Sequence, residues 1–193
     1  MISPSKFDQD TYELCREHLN KFIEKSARNL SGQNIKVLEI GAQGRSDVSK
    51  YFGNSTIETL DIVNDHNPTY LGDITKFNDH IPDSSFDIIC CLEVLEHTLN
   101  PFSAVVELRR LLKDGGYLLA SAPLNWRIHG PIPDCWRFTE FGWRVLLKDF
   151  EIIEIDKLET PDRNLFPMKY NILAKCDKNK NVDVYSVKFE MIE

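Results

Sequence analysis

The sequence predicts an α/β domain: a seven-stranded, mostly parallel sheet with an antiparallel last strand, helices on both faces and an N-terminal helix. Three observations carry this. Phe86–Leu92 is a continuous apolar run without alternation, the pattern of a strand buried on both faces of a parallel sheet. Short β-rich runs alternate with helical periodicity along most of the chain. The last two apolar runs, 151–155 and 170–175, lack a clear helix between them, as an antiparallel pair requires.

The elements follow in order. Residues 8–29 carry Tyr12, Leu14, Cys15, Leu19, Phe22 and Ile23 at helical spacing among charges, closed by Asn29 and Ser31-Gly32. A strand at 35–40 ends at Gly41, and a helix is expected over about 46–51. Strands at 56–61 and 70–71 come next, then the run 86–92 and a turn over 93–97. Pro101 opens a helix over 102–112, where proline is tolerated in the first turn. Asp114-Gly115-Gly116 is expected to stop that helix before a strand at 117–122. A helix over about 139–148 precedes the final pair, and 182–189 is read as an edge strand or tail. No repeat, low-complexity tract or linker divides the chain, so residues 1–193 are expected to form one domain: a helical lid at 1–32, a core at 33–176 and a tail at 177–193.

Composition narrows the function classes. Thirty acidic residues against 23 Lys and Arg give a net charge of −7, which repels phosphate backbones and argues against nucleic acid. The five cysteines form no CxxC pair, which suggests a reducing compartment without disulfides or zinc-finger spacing. The polar N-terminus lacks a secretory core, and no apolar stretch approaches the roughly 20 residues of a membrane span. A cytoplasmic protein without membrane contact is expected; a homodimer is left open.

In open α/β sheets ligands bind beyond the carboxyl ends of the strands. Here those ends read Glu39-Ile40-Gly41, Asp61-Ile62, Gly72-Asp73-Ile74 and Leu92-Glu93. The glycine allows close backbone approach to a ligand, and an acid such as Asp61 at the end of the second strand suits a ribose. Val37–Gly44 resembles the first motif of class I S-adenosylmethionine-dependent methyltransferases. Leu60-Asp61-Ile62, Gly72-Asp73-Ile74, Phe86–His97 and Leu111–Leu118 resemble its later motifs in order and spacing, over about residues 35–175. The resemblance implies a Rossmann-like fold and S-adenosylmethionine as cofactor. It implies that Glu39 serves the cofactor's amino-acid end, Asp61 its ribose, Asp73 its adenine and the backbone near Cys91–Glu93 its methionyl part. Gly41, Ala42, Ile62, Ile74 and Leu92 complete the expected cofactor set. One departure stands out: Gln43 and Arg45 occupy the usual places of the second and third glycines, and Gly44 is off register. A dinucleotide is disfavoured because G-x-G-x-x-G is absent.

At the reacting end, candidate bases come from loops after the fourth and fifth strands: His97, His129 and Asp134, with Glu93 nearby. Glu93, Glu96 and His97 stand at i, i+3 and i+4, and are similar to the E-x-x-E-H element of methyltransferases in which a divalent ion orients a hydroxyl. The competing reading, in which Glu96 or His97 only caps the turn, weighs more. The segment Trp126–Thr139 resembles the H-G-x-P-x-D-x-W-R-F-T stretch of bacterial methyltransferases. Its Trp126 and Trp136 could stack on a sugar, and Arg127 and Arg137 could grip an anionic metabolite. The plainer reading packs Trp136 and Phe138 under the next helix, with Arg137 pairing an acid and Thr139 as N-cap. The expected function is O-methylation of a small hydroxylated metabolite or sugar unit with a His/Asp base. N-methylation of a small amine and a non-catalytic cofactor-binding scaffold are the alternatives. RNA 2′-O-methylation is opposed by the acidic balance.

Overall fold

A computed structural model describes residues 5–30, 32–43 and 48–189. Helix α1 (Lys6–Leu30) opens on a reciprocal cap. The Asp8 N–H donates to Ser5 Oγ at 3.1 Å and the Ser5 N–H donates to Asp8 Oδ2 at 2.9 Å, which satisfies two orphan donors at once. The strands are β1 (Lys36–Ile40), β2 (Thr56–Asp61), β3 (Tyr70–Leu71), β4 (Phe86–Leu92), β5 (Leu112–Pro123), β6 (Phe150–Thr160) and β7 (Arg163–Cys176). They form one sheet in the order β3-β2-β1-β4-β5-β7-β6. The first five strands in that order are mutually parallel, while β7 runs antiparallel to both β5 and β6. The expected class is the one observed, with the reversed last strand inserted between two others.

Period-2 alternation sends successive side chains to opposite faces. Val37, Ile88, Cys90, Leu119 and Leu173 meet Leu19, Phe22, Ile23 and Ala27 of α1 on one face. Leu38, Ile89, Cys91, Leu118, Ala120 and Ile172 face the other way. There they pack on Ala104, Leu108 and Leu111 of helix α2 (Pro101–Leu111) and on Trp143 and Leu146 of helix α3 (Glu140–Leu146). Asn100 caps α2 through Ser103 N–H, and Thr139 caps α3 through Gly142 N–H, as its position suggested.

Three elements differ from expectation. Where a helix was expected over 46–51, the described residues 48–52 form turns, with the N–H groups of Tyr51 and Phe52 donating to the Val48 carbonyl; Ser46 and Asp47 lie outside the described residues. So short a segment before Gly53-Asn54 cannot repay the cost of a helical nucleus. Strand β5 starts at Leu112, directly after α2, so Asp114-Gly115-Gly116 lies in the strand rather than in a connecting turn. The tail forms one 3₁₀ turn, Val184–Ser186, instead of an edge strand. Arg109 explains this by donating from Nη2 to the carbonyls of Asp177, Lys178 and Lys180 at 2.7, 2.9 and 2.7 Å. The Val182 N–H is taken by Asp149 at 2.8 Å, so the tail's polar backbone is satisfied away from the sheet.

No helix among the described residues is long and apolar enough to cross a membrane. Two positions on α2 test the packing: Leu108 is fully buried and Val106 is 70% exposed. Leu108→Ala is expected to lower unfolding free energy by about 2–5 kcal/mol, whereas Val106→Ala should stay within about 0.5 kcal/mol, both measured by urea denaturation.

Candidate active site

The carboxyl ends of β1, β2, β3 and β4 all open onto one edge of the sheet, and two adjoining cavities run along it. The inner one, about 260 Å³, has Glu39, Gly41, Leu92 and Glu93 in its floor. A stripe of α1, Tyr12, Cys15, Arg16, Leu19 and Ile23, forms one wall, and Trp126, His129 and Pro131 form the other. The second cavity, about 360 Å³, is lined by Asp61, Ile62, Asp73, Ile74 and Val94. Gly41, Gln43, Glu93, His97 and Pro131 border both cavities, so Glu39, Asp61 and Asp73 belong to one continuous cleft.

The turn after β1 fits close approach of a ligand. Gly41 has φ +67, and a Cβ there would stand 3.0 Å from Val94 Cγ2. Gln43 also takes a left-handed conformation, φ +46, where the family pattern has a glycine. Its N–H donates to Asp61 Oδ2 at 3.2 Å, and the Val63 N–H donates to Oδ1 at 3.2 Å. A carboxylate has about four acceptor sites, so both Asp61 oxygens retain capacity for ribose hydroxyls. Asp73 Oδ1 accepts from the Thr75 N–H at 2.9 Å and from its hydroxyl at 2.7 Å. Ile74 is buried and Ile62 lies exposed at the rim; Ala42 borders the inner cavity. Gly44, Arg45 and Ser46 lie outside the described residues.

Glu93 departs from the expected facial set. It has φ +57 and precedes the 3₁₀ turn Leu95–His97, so the helical i, i+3, i+4 geometry with Glu96 and His97 never forms. Its carboxylate instead accepts from Lys169 Nζ at 2.9 Å and from Ser121 Oγ at 2.7 Å. Burial works to raise the Glu93 pKa, but the Lys169 ammonium and the two hydrogen bonds outweigh it and hold the carboxyl below its ordinary value. Lys169 and Ser121 were not anticipated. Lys169 reaches this edge because β7 is reversed, which brings its first half alongside the carboxyl ends of its neighbours.

The segment 124–138 is fastened on both sides. The N–H groups of Leu124 and Asn125 donate to the Met168 carbonyl, and those of Cys135 and Trp136 donate to the Glu96 carbonyl. The Gly130–Pro131 and Ile132–Pro133 peptides are cis. Asp134 is the hub of this segment. It accepts two bonds from Arg137, at 2.5 and 2.7 Å, one from the His129 N–H at 3.0 Å and one from His129 Nδ1 at 3.1 Å. The Arg137 guanidinium, working against burial, holds the Asp134 carboxyl far below the usual range. His97 Nδ1 lies 3.0 Å from the Pro133 carbonyl, and its ring meets that of His129 edge to face at 4.9 Å. Each Nδ1 therefore carries the proton and each Nε2 keeps its lone pair. Glu96 is fully buried, and burial, reinforced by the charge of Glu93, pushes its carboxyl well above the ordinary value.

For Trp136 and Arg137 the plainer of the two readings is the one observed. Neither arginine is free to grip an anion, because Arg137 is spent on Asp134 and Arg127 pairs with Asp8 at 3.1 Å. Trp136 does not face the cleft: its indole N–H donates to the Thr98 carbonyl at 2.8 Å and its ring stacks on Phe138, which packs on Trp143. Trp126 remains in the cleft wall. Removing the guanidinium should leave Asp134 buried beside only His129. Arg137→Ala is expected to cost about 2–4 kcal/mol in urea denaturation, less than a fully enclosed pair because Arg137 is partly solvated.

Residues 7–156 match the family model described as a methyltransferase domain. A search of curated protein sequences gives no match. Among solved structures, the chain is similar to an S-adenosylmethionine-dependent methyltransferase from Aquifex aeolicus. That pair shares 18% identity over 80% of this chain and 89% of the other, with a TM-score of 0.60. One from Methanosarcina mazei shares 18% identity over 78% and 96% of the two chains, with a TM-score of 0.59. The CurJ carbon methyltransferase shares 17% identity over 75% of this chain and 49% of its own, with a TM-score of 0.57. Likenesses this remote establish the fold alone, whereas the family match spans most of the chain. That match, over residues 7–156, makes the chain a member of the methyltransferase-domain family.

Proposed function

We propose that the chain methylates a hydroxyl of a small, uncharged acceptor, such as a sugar unit, with His129 as the base. The observation that carries this reading is the His129–Asp134 contact at 3.1 Å, in the wall of the same cleft that Glu39 and Gly41 floor. Bound S-adenosylmethionine supplies an electrophilic methyl group on a sulfonium. The chain's residues do the rest.

Glu39, Asp61 and Asp73 hold the cofactor's amino-acid end, ribose and adenine, and Gly41 lets the backbone come close. Asp134 accepts the Nδ1 proton of His129, which turns the Nε2 lone pair to the cleft. That nitrogen would take the proton of the acceptor hydroxyl held beside it. Asp134 and its Arg137 partner keep the ring oriented and stabilise the imidazolium. Positioning of the two reactants is worth roughly 7–11 kcal/mol, and a placed base adds about 10²–10⁴-fold.

A third cavity, about 620 Å³, adjoins the inner one through Tyr12, Trp126, His129 and Gly130 and gives the bulk of an acceptor room outside the reacting centre. Asp8 and Glu13 line it too, and its one arginine is already paired, which is why an anionic acceptor is disfavoured.

Titration calorimetry with S-adenosylmethionine is the first test. Wild-type protein should bind it, and Asp61→Ala and Gly41→Ala should each weaken binding at least tenfold. Absence of wild-type binding would reduce the chain to a scaffold. The second test follows transfer of labelled methyl to a panel of hydroxylated and amino acceptors. His129→Gln should keep cofactor affinity yet lower turnover on hydroxyls by about 10²–10⁴-fold. Turnover only on amines, indifferent to His129, would refute the hydroxyl assignment.

A further inference from the structure

We infer that Glu96, His97 and His129 form a binding site for a borderline divalent transition-metal ion of the zinc type. One potential ligand atom from each residue lies within 4.8 Å of the other two. The set differs from the one the sequence suggested, because Glu93 is held by Lys169 and Ser121 and is replaced by His129 from the segment after β5.

Two independent features point to a cation. The first is Glu96: its side chain is fully buried, and neither carboxylate oxygen has a hydrogen-bond partner in the structure. Buried carboxylates are otherwise paired, bonded or metal-bound. The nearby cations are committed elsewhere, Lys169 to Glu93 and Arg137 to Asp134. Facing Glu96 are two imidazoles, and His97 Nε2 stands 3.8 Å from Glu96 Oε1.

The second feature is the arrangement behind those imidazoles. His97 donates its Nδ1 proton to the Pro133 carbonyl, and His129 donates its own to the Asp134 carboxylate. A backbone carbonyl and a carboxylate are the usual outer partners of ligating histidines, because they fix the tautomer and raise the basicity of the other nitrogen. Two nitrogens and one oxygen suit zinc, cobalt or ferrous ions better than calcium or magnesium, which favour oxygen alone. A tetrahedral ion with bonds of roughly 2.1 Å sets its ligands about 3.4 Å apart, so the three side chains must draw together by up to about 1.4 Å. The fourth position faces the cleft, which His97 and His129 both line.

Metal binding stands without the methyl-transfer reading; only the ion's use depends on it. Nε2 of His129 would be a ligand in the metal-loaded protein, and its role as base would belong to the metal-free form.

The test is calorimetric titration of chelator-treated full-length protein with zinc chloride, together with visible absorption of the cobalt-loaded form. One ion per chain is expected, with cobalt bands of four- or five-coordinate geometry. Glu96→Gln and His129→Gln should each weaken zinc binding at least tenfold. Asp134→Asn, which touches no ion, should weaken it about 10–100-fold. Glu93→Gln should change it less than threefold. No stoichiometric uptake by wild-type protein overturns the inference, as does unchanged affinity in both Glu96→Gln and His129→Gln. Circular dichroism confirms that each variant is folded, and S-adenosylmethionine is titrated into the wild-type protein. Cofactor binding without metal uptake refutes the site alone, and metal uptake without cofactor binding refutes the methyltransferase reading alone.

Discussion

Strand β1 is bonded on both sides to parallel neighbours, β2 and β4, which it reaches in opposite directions across the sheet. The chain leaving β1 and the chain leaving β4 therefore turn away from each other at the same edge and cannot fill the space between them. That space is the cleft. Gly41 ends one strand and Glu93 follows the other, and both border the two cavities. Everything chemical in the molecule depends on this divergence, since Asp61, Asp73 and the histidines reach a common volume only because their strands finish there together.

Much of this was legible in the sequence. The unbroken apolar run Phe86–Leu92 became the strand it resembled, with its residues divided between the two layers of the core. The acids at Glu39, Asp61 and Asp73 needed only strand ends to be located, and strand ends are well marked where β-branched runs stop. Less legible was whatever depended on contacts far apart in sequence. The reversed last strand was expected over 170–175, and Lys169 lies just before that range, in the longer β7, where it sits opposite Pro123 at the end of β5. The i, i+3, i+4 spacing of Glu93, Glu96 and His97 is helical in sequence, and one left-handed residue, Glu93 itself, dissolves it. Arg127 and Arg137 looked available because their partners, Asp8 and Asp134, become visible only in three dimensions.

Opposite charges are paired around the cleft, as they are over the surface. The whole chain carries −7, yet beside the cleft Lys169 answers Glu93, Arg137 answers Asp134 and Arg127 answers Asp8. Such pairing fixes dipoles in place before any ligand arrives, so that little reorganisation is needed when charge moves during reaction.

Helix α1 and the segment 124–138 lean toward each other over the cleft, and the ion pair between Asp8 and Arg127 joins them across its outer end. Water reaches both of these side chains, so the clasp is screened. This outer fastening is thus much weaker than the core beneath it, and a substitution at the helix tip would loosen it while leaving the sheet undisturbed.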